Sequence, residues 1–264
     1  MITDHFLVTD QVAIVTGAGR GIGRATALAL AEAGANLIIS ARTQDQLDEV
    51  AQQVARFGRR AVPVPADLSD LSTLPTLVER ATAEFGRLDI VVNNVGGSFP
   101  RPLLETSPAM FEKAFHFNVT TALELSKAAI PAMLASDPAG GSIVNISSAI
   151  GRLTDRGFAA YGTAKGALTH LTRLMATECA PRVRVNAIAV GSTATSALEM
   201  VLADDNLRTT METNTPLRRL GEPLDIALGV LYLCSPAGSY LTGKILEIDG
   251  GLNAPNLMLG LPDL

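Results

Sequence analysis

The sequence predicts one doubly wound α/β domain: a mostly parallel, seven-stranded sheet with helices on both faces. Three observations predict it. Seven short runs rich in valine and isoleucine show little period-2 polarity, as strands buried on both faces do. Amphipathic stretches separate those runs, which implies right-handed βαβ crossovers. No Pro/Gly/Ser-rich linker or internal repeat divides the 264 residues, a length that one large α/β domain can fill.

The elements follow in order. Residues 12–16 form the first strand, and a helical pattern spans 23–33. Strand patterns at 36–40 and 61–65 alternate with helical patterns at 44–57 and 71–85. Residues 89–93 precede a long helical pattern over 108–134, and residues 142–146 precede another over 161–180. The sixth strand is 184–189; a helix over 223–234 leads to the seventh, 244–248. Two segments break the alternation. Residues 191–217 hold no strand of their own and leave the carboxyl end of the sixth, where a cover over a site attaches. The tail, 252–264, carries Leu257, Leu259, Leu261 and Leu264, which predicts docking on a neighbouring subunit.

Composition excludes several classes. A net charge of −5 argues against a nucleic-acid partner held through phosphates. No apolar run approaches the ~20 residues of a membrane span. The start, Met1-Ile2-Thr3-Asp4-His5, lacks the basic region of a signal peptide, so a cytoplasmic protein is expected. Cys179 and Cys234 form no Cys-x-x-Cys, and His5, His116 and His170 are scattered, so no metal is expected.

The first strand ends in Thr16-Gly17-Ala18-Gly19-Arg20-Gly21-Ile22-Gly23, and a helix follows at once. Glycines there allow a tight turn and close approach to a phosphate, which the helix N-terminus then attracts. The spacing, through Gly17, Gly21 and Gly23, is G-x-x-x-G-x-G, and no P-loop Lys-Ser/Thr follows. The second strand closes with Ser40-Ala41-Arg42, so the place usually held by an acid that binds a ribose 2′-hydroxyl is Ala41. Arg42, with Arg20 in the first loop, suits a 2′-phosphate and predicts a preference for NADP(H), with NAD(H) possible. The competing role for both arginines is solvated surface. Asp67, followed by Leu68, fits either an acceptor for an adenine amino group or a helix N-cap. Asn93-Asn94-Val95-Gly96-Gly97 ends the fourth strand with small residues that let a ligand near the backbone.

Tyr161 and Lys165 stand four residues apart, and Ser148 lies thirteen before the tyrosine. On a helix the first two share a face, so an ammonium there favours the phenolate and lowers the tyrosine pKa. Most such pairs on helices are solvated neighbours; here the phosphate loop and the serine give the pair its meaning.

Together Thr16-Gly17-x-x-x-Gly21-x-Gly23, Asn93-Asn94-x-Gly96, Asn118, Ser148, Tyr161-x-x-x-Lys165, Arg184-Val185-Asn186 and Asp249-Gly250-Gly251 resemble the short-chain dehydrogenase/reductase family over nearly the whole chain. The C-terminal part also looks like bacterial hydroxysteroid dehydrogenases and 3-oxoacyl-thioester reductases. The resemblance implies a Rossmann-type oxidoreductase acting on CH–OH groups with NAD(P). It makes Tyr161 the proton donor in reduction and Lys165 the residue that tunes it and holds the nicotinamide ribose. Ser148, preferred over Ser147 by spacing, becomes the substrate-oxygen partner. Asn118 becomes the holder of a relay water, against a plain local backbone bond. Thr195 becomes the carboxamide partner, and Gly17, Ile22, Leu68 and Asn94 join the cofactor contacts. Two departures stand out: Val95 replaces the usual alanine, and Val190 replaces the usual proline before Gly191.

Val95, Phe99, Leu153, Phe158, Leu198 and Met200 are the expected apolar wall for a lipophilic small molecule such as a steroid, terpenoid or acyl thioester. The alternatives are an NAD-dependent hydroxysteroid-type dehydrogenase and a non-catalytic nucleotide sensor. The presence of Tyr161, Lys165 and Ser148 weighs against the sensor. Family likeness also implies a homotetramer built on the two long helices and the last strand.

Overall fold

The computed structural model describes residues 1–97, 99–258 and 260. Seven strands alternate with helices: β1 (Val12–Thr16), α1 (Gly21–Glu32), β2 (Asn36–Ala41), α2 (Gln44–Ala55), β3 (Ala61–Pro65) and α3 (Leu74–Phe85). Then follow β4 (Ile90–Asn93), α4 (Pro108–Phe115), α5 (Thr121–Ala135), β5 (Gly141–Ser148), α6 (Ala159–Cys179) and β6 (Val183–Val190). Short α7 (Glu199–Leu202) and α8 (Asp205–Asn214) precede α9 (Pro223–Cys234) and β7 (Ile245–Ile248). The order is β3-β2-β1-β4-β5-β6-β7, with every neighbouring pair parallel. The order reverses between β1 and β4, which opens a crevice at their carboxyl ends.

Strand parity builds two cores. Ala13, Val15, Leu37, Ile39, Val144 and Ile188 face α1, α2 and α9. Val12, Ile14, Ile38, Val91, Ile143 and Val185 face α3, α5 and α6. Because both faces are covered, alternation of polarity is lost, and the runs read as continuous apolar segments.

Two differences from the sequence expectations have physical causes. β5 and β6 each reach eight residues, because Ser147 and Ser148 continue the ladder with Ala189 and Val190. Their polarity hid the strand end. The long helix over 108–134 is broken by a π-turn at His116–Thr120. There the Asn118 amide donates to Ala114 O at 2.8 Å, competing with the main-chain ladder. The described part of the tail is also tied to its own chain. Asn256 is 5 % exposed, accepts from Ser192 Oγ at 2.9 Å and donates to Thr215 Oγ1 at 2.8 Å and Met211 O at 3.3 Å. Its carbonyl accepts from Asn214 Nδ2 at 3.1 Å. Leu259, Leu261 and Leu264 lie outside the described residues.

Several sequence motifs have scaffold roles. Arg184 donates to the carbonyls of Gly238 (2.8 Å), Leu241 and Cys234, and Asn186 brackets Leu241 and Lys244, so this pair secures the turn into β7. Gly191 packs so tightly on Asp249 that an added Cβ would lie 2.5 Å from its Cα. Asp249 in turn accepts from the Gly251 N–H and from Arg152. Cys179 and Cys234 are free thiols, and among the described residues no helix is long and apolar enough to cross a membrane.

Candidate active site

The loop after β1 is shaped for close approach. Gly17 and Gly21 have φ of +64° and +54°, which side chains rarely adopt. A Cβ on Gly23 would lie 2.1 Å from Gly17 O, so the helix rests directly on the loop. Helix α1 has no side-chain N-cap, which leaves its first-turn N–H groups for an anion. Asn94 stitches the crevice: Nδ2 donates to Thr16 O at 2.9 Å, while Thr16 Oγ1 accepts the Asn94 N–H at 2.8 Å. The side chains of Ile22 and Leu68 belong to the two cores. Thr195 lies against the loop, its Cγ2 3.3 Å from the place of a Gly21 Cβ.

Arg20 and Arg42 are exposed and form no ion pair among the described residues. Asp67 is no N-cap; that place is taken by Asp70, which accepts from Ser72 N. Asp67 instead closes a turn with the N–H and hydroxyl of Ser69 at 3.0 and 2.8 Å. Those bonds hold its carboxyl below the usual range, with Arg42 and Lys113 adding to the effect.

At the ends of β4 and β5 the fold gathers Ser148, Tyr161 and Lys165. Lys165 is 3 % exposed and donates from Nζ to Ile146 O at 2.8 Å. A charged hydrogen bond contributes about 1.5–3 kcal/mol, less than the several kcal/mol needed to desolvate an ammonium. Burial therefore pulls Lys165 down to about 7. Tyr161 moves the other way: burial raises it, and a hydrogen bond with Ser148 offsets part of that. The expectation that Lys165 lowers the tyrosine is thus corrected. Nζ stands 5.7 Å from the Tyr161 ring centre, and both buried groups favour their neutral forms. Ser147 is buried and donates to Lys165 O at 3.0 Å, which leaves Ser148 as the serine beside the tyrosine.

Asn118 is fully buried in the π-turn and bonds to the backbone. Its Oδ1 accepts from Gly97 N at 2.9 Å, and Nδ2 donates to Gly97 O at 3.0 Å and Ala114 O. A Cβ on Gly96 would meet Asn118 Oδ1 at 2.6 Å and Lys165 Nζ at 2.7 Å. Asn118 therefore clamps the β4–α4 loop beside the lysine, the local bonding weighed as its simpler role.

The expected apolar wall is only partly assembled. Phe158 stands beside Tyr161 with ring centres 6.3 Å apart. Leu153 and Leu198 are half-buried. Val95 packs inward, lining a small cavity with Leu68, Leu74 and Leu125. Phe99 is 89 % and Met200 86 % exposed. Both lie on segments outside the cores, where periodicity says nothing of direction. The sequence reading missed the buried polar set Asn93, Ser126, Asn145 and Thr172. Part of its signal was present, since Asn93 and Asn145 place polar residues in two apolar runs, but their pairing in register shows only in the structure.

Comparison with known proteins agrees with this geometry. Residues 17–253 match the family described as Enoyl-(Acyl carrier protein) reductase. An uncharacterized oxidoreductase of Mycobacterium tuberculosis is 58% identical over 100% of both chains. The 7alpha-hydroxysteroid dehydrogenase of Escherichia coli is 36% identical, covering 94% of this chain and 96% of its own. A solved 7alpha-hydroxysteroid dehydrogenase complexed with NADH and 7-oxo glycochenodeoxycholic acid superposes with a TM-score of 0.89 at 36% identity, over 94% of this chain and 96% of that one. A Beutenbergia cavernae protein described as a putative NAD(P) dependent gluconate 5-dehydrogenase, with bound NADP at low occupancy, gives 0.86 at 38% identity, over 93% and 98%. The chain belongs to the short-chain dehydrogenase/reductase family, oxidoreductases that act on CH–OH groups and bind NAD(P)(H).

Proposed function

We propose that this protein interconverts a lipophilic secondary alcohol and its ketone, with NADP(H) as the preferred cofactor. The observation that carries the reading is the placement of Tyr161, Ser148 and Lys165 at the sheet edge that also holds the uncapped phosphate loop. The loop fits a dinucleotide: Gly17, Gly21 and Gly23 leave the cradle open, the α1 N–H groups meet its phosphates, and Thr195, Asn94 and Lys165 lie further along. When bound, the nicotinamide supplies or accepts the hydride. The protein supplies position and the proton. In reduction, the buried, neutral Tyr161 gives its phenolic proton to the substrate oxygen, and the Ser148 hydroxyl holds that oxygen. In oxidation the same phenol takes the proton back. Lys165 holds the ribose hydroxyls and feeds protons toward Tyr161. A panel of ketones and secondary alcohols, read by cofactor absorbance, tests this; no turnover on any member rejects it.

The NADP(H) preference rests on the two unpaired guanidinium groups, Arg20 and Arg42, and on Ala41 in the acid's place. The relative crystallised with NADH supports the NAD-dependent alternative. Arg42→Ser is expected to lower kcat/KM for NADPH about tenfold or more, one charged hydrogen bond's worth, and to leave NADH nearly unchanged. Better use of NADH than NADPH by the wild type sinks the preference. A steroid-like or alicyclic ketone is the leading substrate class, on half-buried Phe158 beside Tyr161 and the 7-oxo glycochenodeoxycholic acid complexed with a relative.

Met110, Phe111 and Phe115 on α4, Leu134 on α5 and Leu174 on α6 are large exposed apolar side chains. They support a homotetramer joined through these helices. Light scattering is expected to give four times the chain mass; a monomer alone rejects the assembly. The two free thiols fit a reducing compartment and so support a cytoplasmic setting.

A further inference from the structure

Three consecutive residues of β5 hold helix α6. Asn145 Nδ2 donates to Thr172 Oγ1 at 2.9 Å, Lys165 Nζ to Ile146 O at 2.8 Å, and Ser147 Oγ to Lys165 O at 3.0 Å. Asn145 is itself fixed, because its Oδ1 accepts from Asn93 Nδ2 at 2.8 Å on the next strand. The Asn93 amide also reaches Ser126 Oγ on α5 at 3.1 Å. Thr172 and Ser126 anchor to their own helices through Leu168 O and Ala122 O, at 2.8 and 2.7 Å. Asn93 is 4 % exposed and the other three side chains 0 %.

This line of bonds crosses the sheet from α5 to α6 in a layer otherwise packed by apolar groups. Apolar contact is non-directional, so by itself it sets the axial position of a helix weakly. Directed bonds between buried groups set it sharply, since each partner left unpaired is costly. Thr172 lies two turns after Lys165 on the same face of α6. The rungs on β5 immediately precede Ser148. Any axial slip of α6 therefore changes the distance from Tyr161 to Ser148 directly, by about 1.5 Å for each residue of slip.

We propose that the Asn93–Asn145–Thr172 chain is a positioning device for the reaction: it fixes α6 on β5, and so places Lys165 and Tyr161 against Ser148. The proposal rests on the oxidoreductase reading above. None of the three side chains needs to touch substrate or cofactor; they act through α6.

Thr172→Val keeps the shape and removes the hydroxyl, whereas Thr172→Ser keeps the hydroxyl. Thr172→Val is expected to fold and to lower kcat about tenfold to a hundredfold, with little change in KM for the ketone. A 13C titration of labelled Lys165 is expected to shift its midpoint in Thr172→Val, as Nζ leaves Ile146 O and gains water. Thr172→Ser is expected to restore both the rate and the titration. Wild-type kcat together with an unshifted Lys165 midpoint in Thr172→Val overturns the proposal. So does equal impairment of Thr172→Ser, which would assign the effect to methyl packing. If Thr172→Val does not fold, Thr172→Ala takes its place, with the same outcomes deciding. Should the wild type turn over no alcohol or ketone with either cofactor, the oxidoreductase reading falls alone. The Lys165 titration then still decides the positioning role.

Discussion

Replacing Tyr161 by phenylalanine will lower kcat by about 10²–10⁴-fold, the usual contribution of a positioned general acid, while the fold and the cofactor Kd stay close to wild type. The substitution removes one oxygen and keeps the ring that packs beside Phe158. Among the described residues the phenol's side-chain partner is Ser148, which is half-buried and also accepts the Ile150 N–H at 3.3 Å, so it keeps a bond when the phenol is gone. Little stability is therefore at stake, and the change reads the chemistry alone. Steady-state rates with the best ketone of the panel, paired with a calorimetric titration of NADPH, make the comparison. Full turnover with phenylalanine at 161 would remove the tyrosine from the reaction.

Gly23→Ala is the second large effect, and it acts on binding. The new methyl group would stand 2.1 Å from Gly17 O and 2.7 Å from Asn94 Nδ2. Neither neighbour is the free end of a flexible chain. Gly17 O belongs to the turn itself, and Asn94 is tied to Thr16. Relief must come from moving α1 away from β1 or from distorting the turn. Overpacking of this kind costs about 1–3 kcal/mol, and breaking the Asn94 tie adds about 1 kcal/mol. Because the strain falls on the turn proposed to meet the phosphates, NADPH affinity is expected to fall about a hundredfold or more, equivalent to about 2.8 kcal/mol. Gly58→Ala is the control: its φ is +69°, but nothing lies within 4 Å of the added carbon. Gly23 sits inside α1 with no positive φ, so this control carries a backbone strain of its own but no clash, and it leaves the loop alone. Thermal unfolding and the same titration read both variants. Wild-type affinity in Gly23→Ala would show that the turn is not the phosphate site.

Some of this was legible in the sequence because it depends on short separations. The i, i+4 relation of Tyr161 and Lys165, the glycine turn and the apolar runs are each set within one element or one connection. The parity that faces Val12 and Ile14 one way and Ala13 and Val15 the other needs only a strand. The pairing of Asn93 with Asn145 is different in kind. It depends on register between strands 52 residues apart, which no local pattern states. The π-turn is also hidden, since it changes helical phase by a single residue, where the Asn118 amide bonds to Ala114 O. Spacing made Lys165 and Tyr161 neighbours, but the direction of their pKa shifts followed from burial. The pocket wall fared worst. Whether Val95 points inward and Met200 outward is decided by how the β4–α4 loop and residues 191–217 travel after leaving the sheet.

The anchoring of Asn256 bears on how substrate preference can change in this fold. Four hydrogen bonds join that one residue to Ser192, Met211, Asn214 and Thr215. Residues 191–217 and the described part of the tail thus behave as a lock and its key, cut together. Grafting only the segment from a relative would strand a buried amide; exchanging both at once keeps the lock closed. A change of specificity made through residues 191–217 is therefore expected to need paired changes at positions some forty or more residues apart.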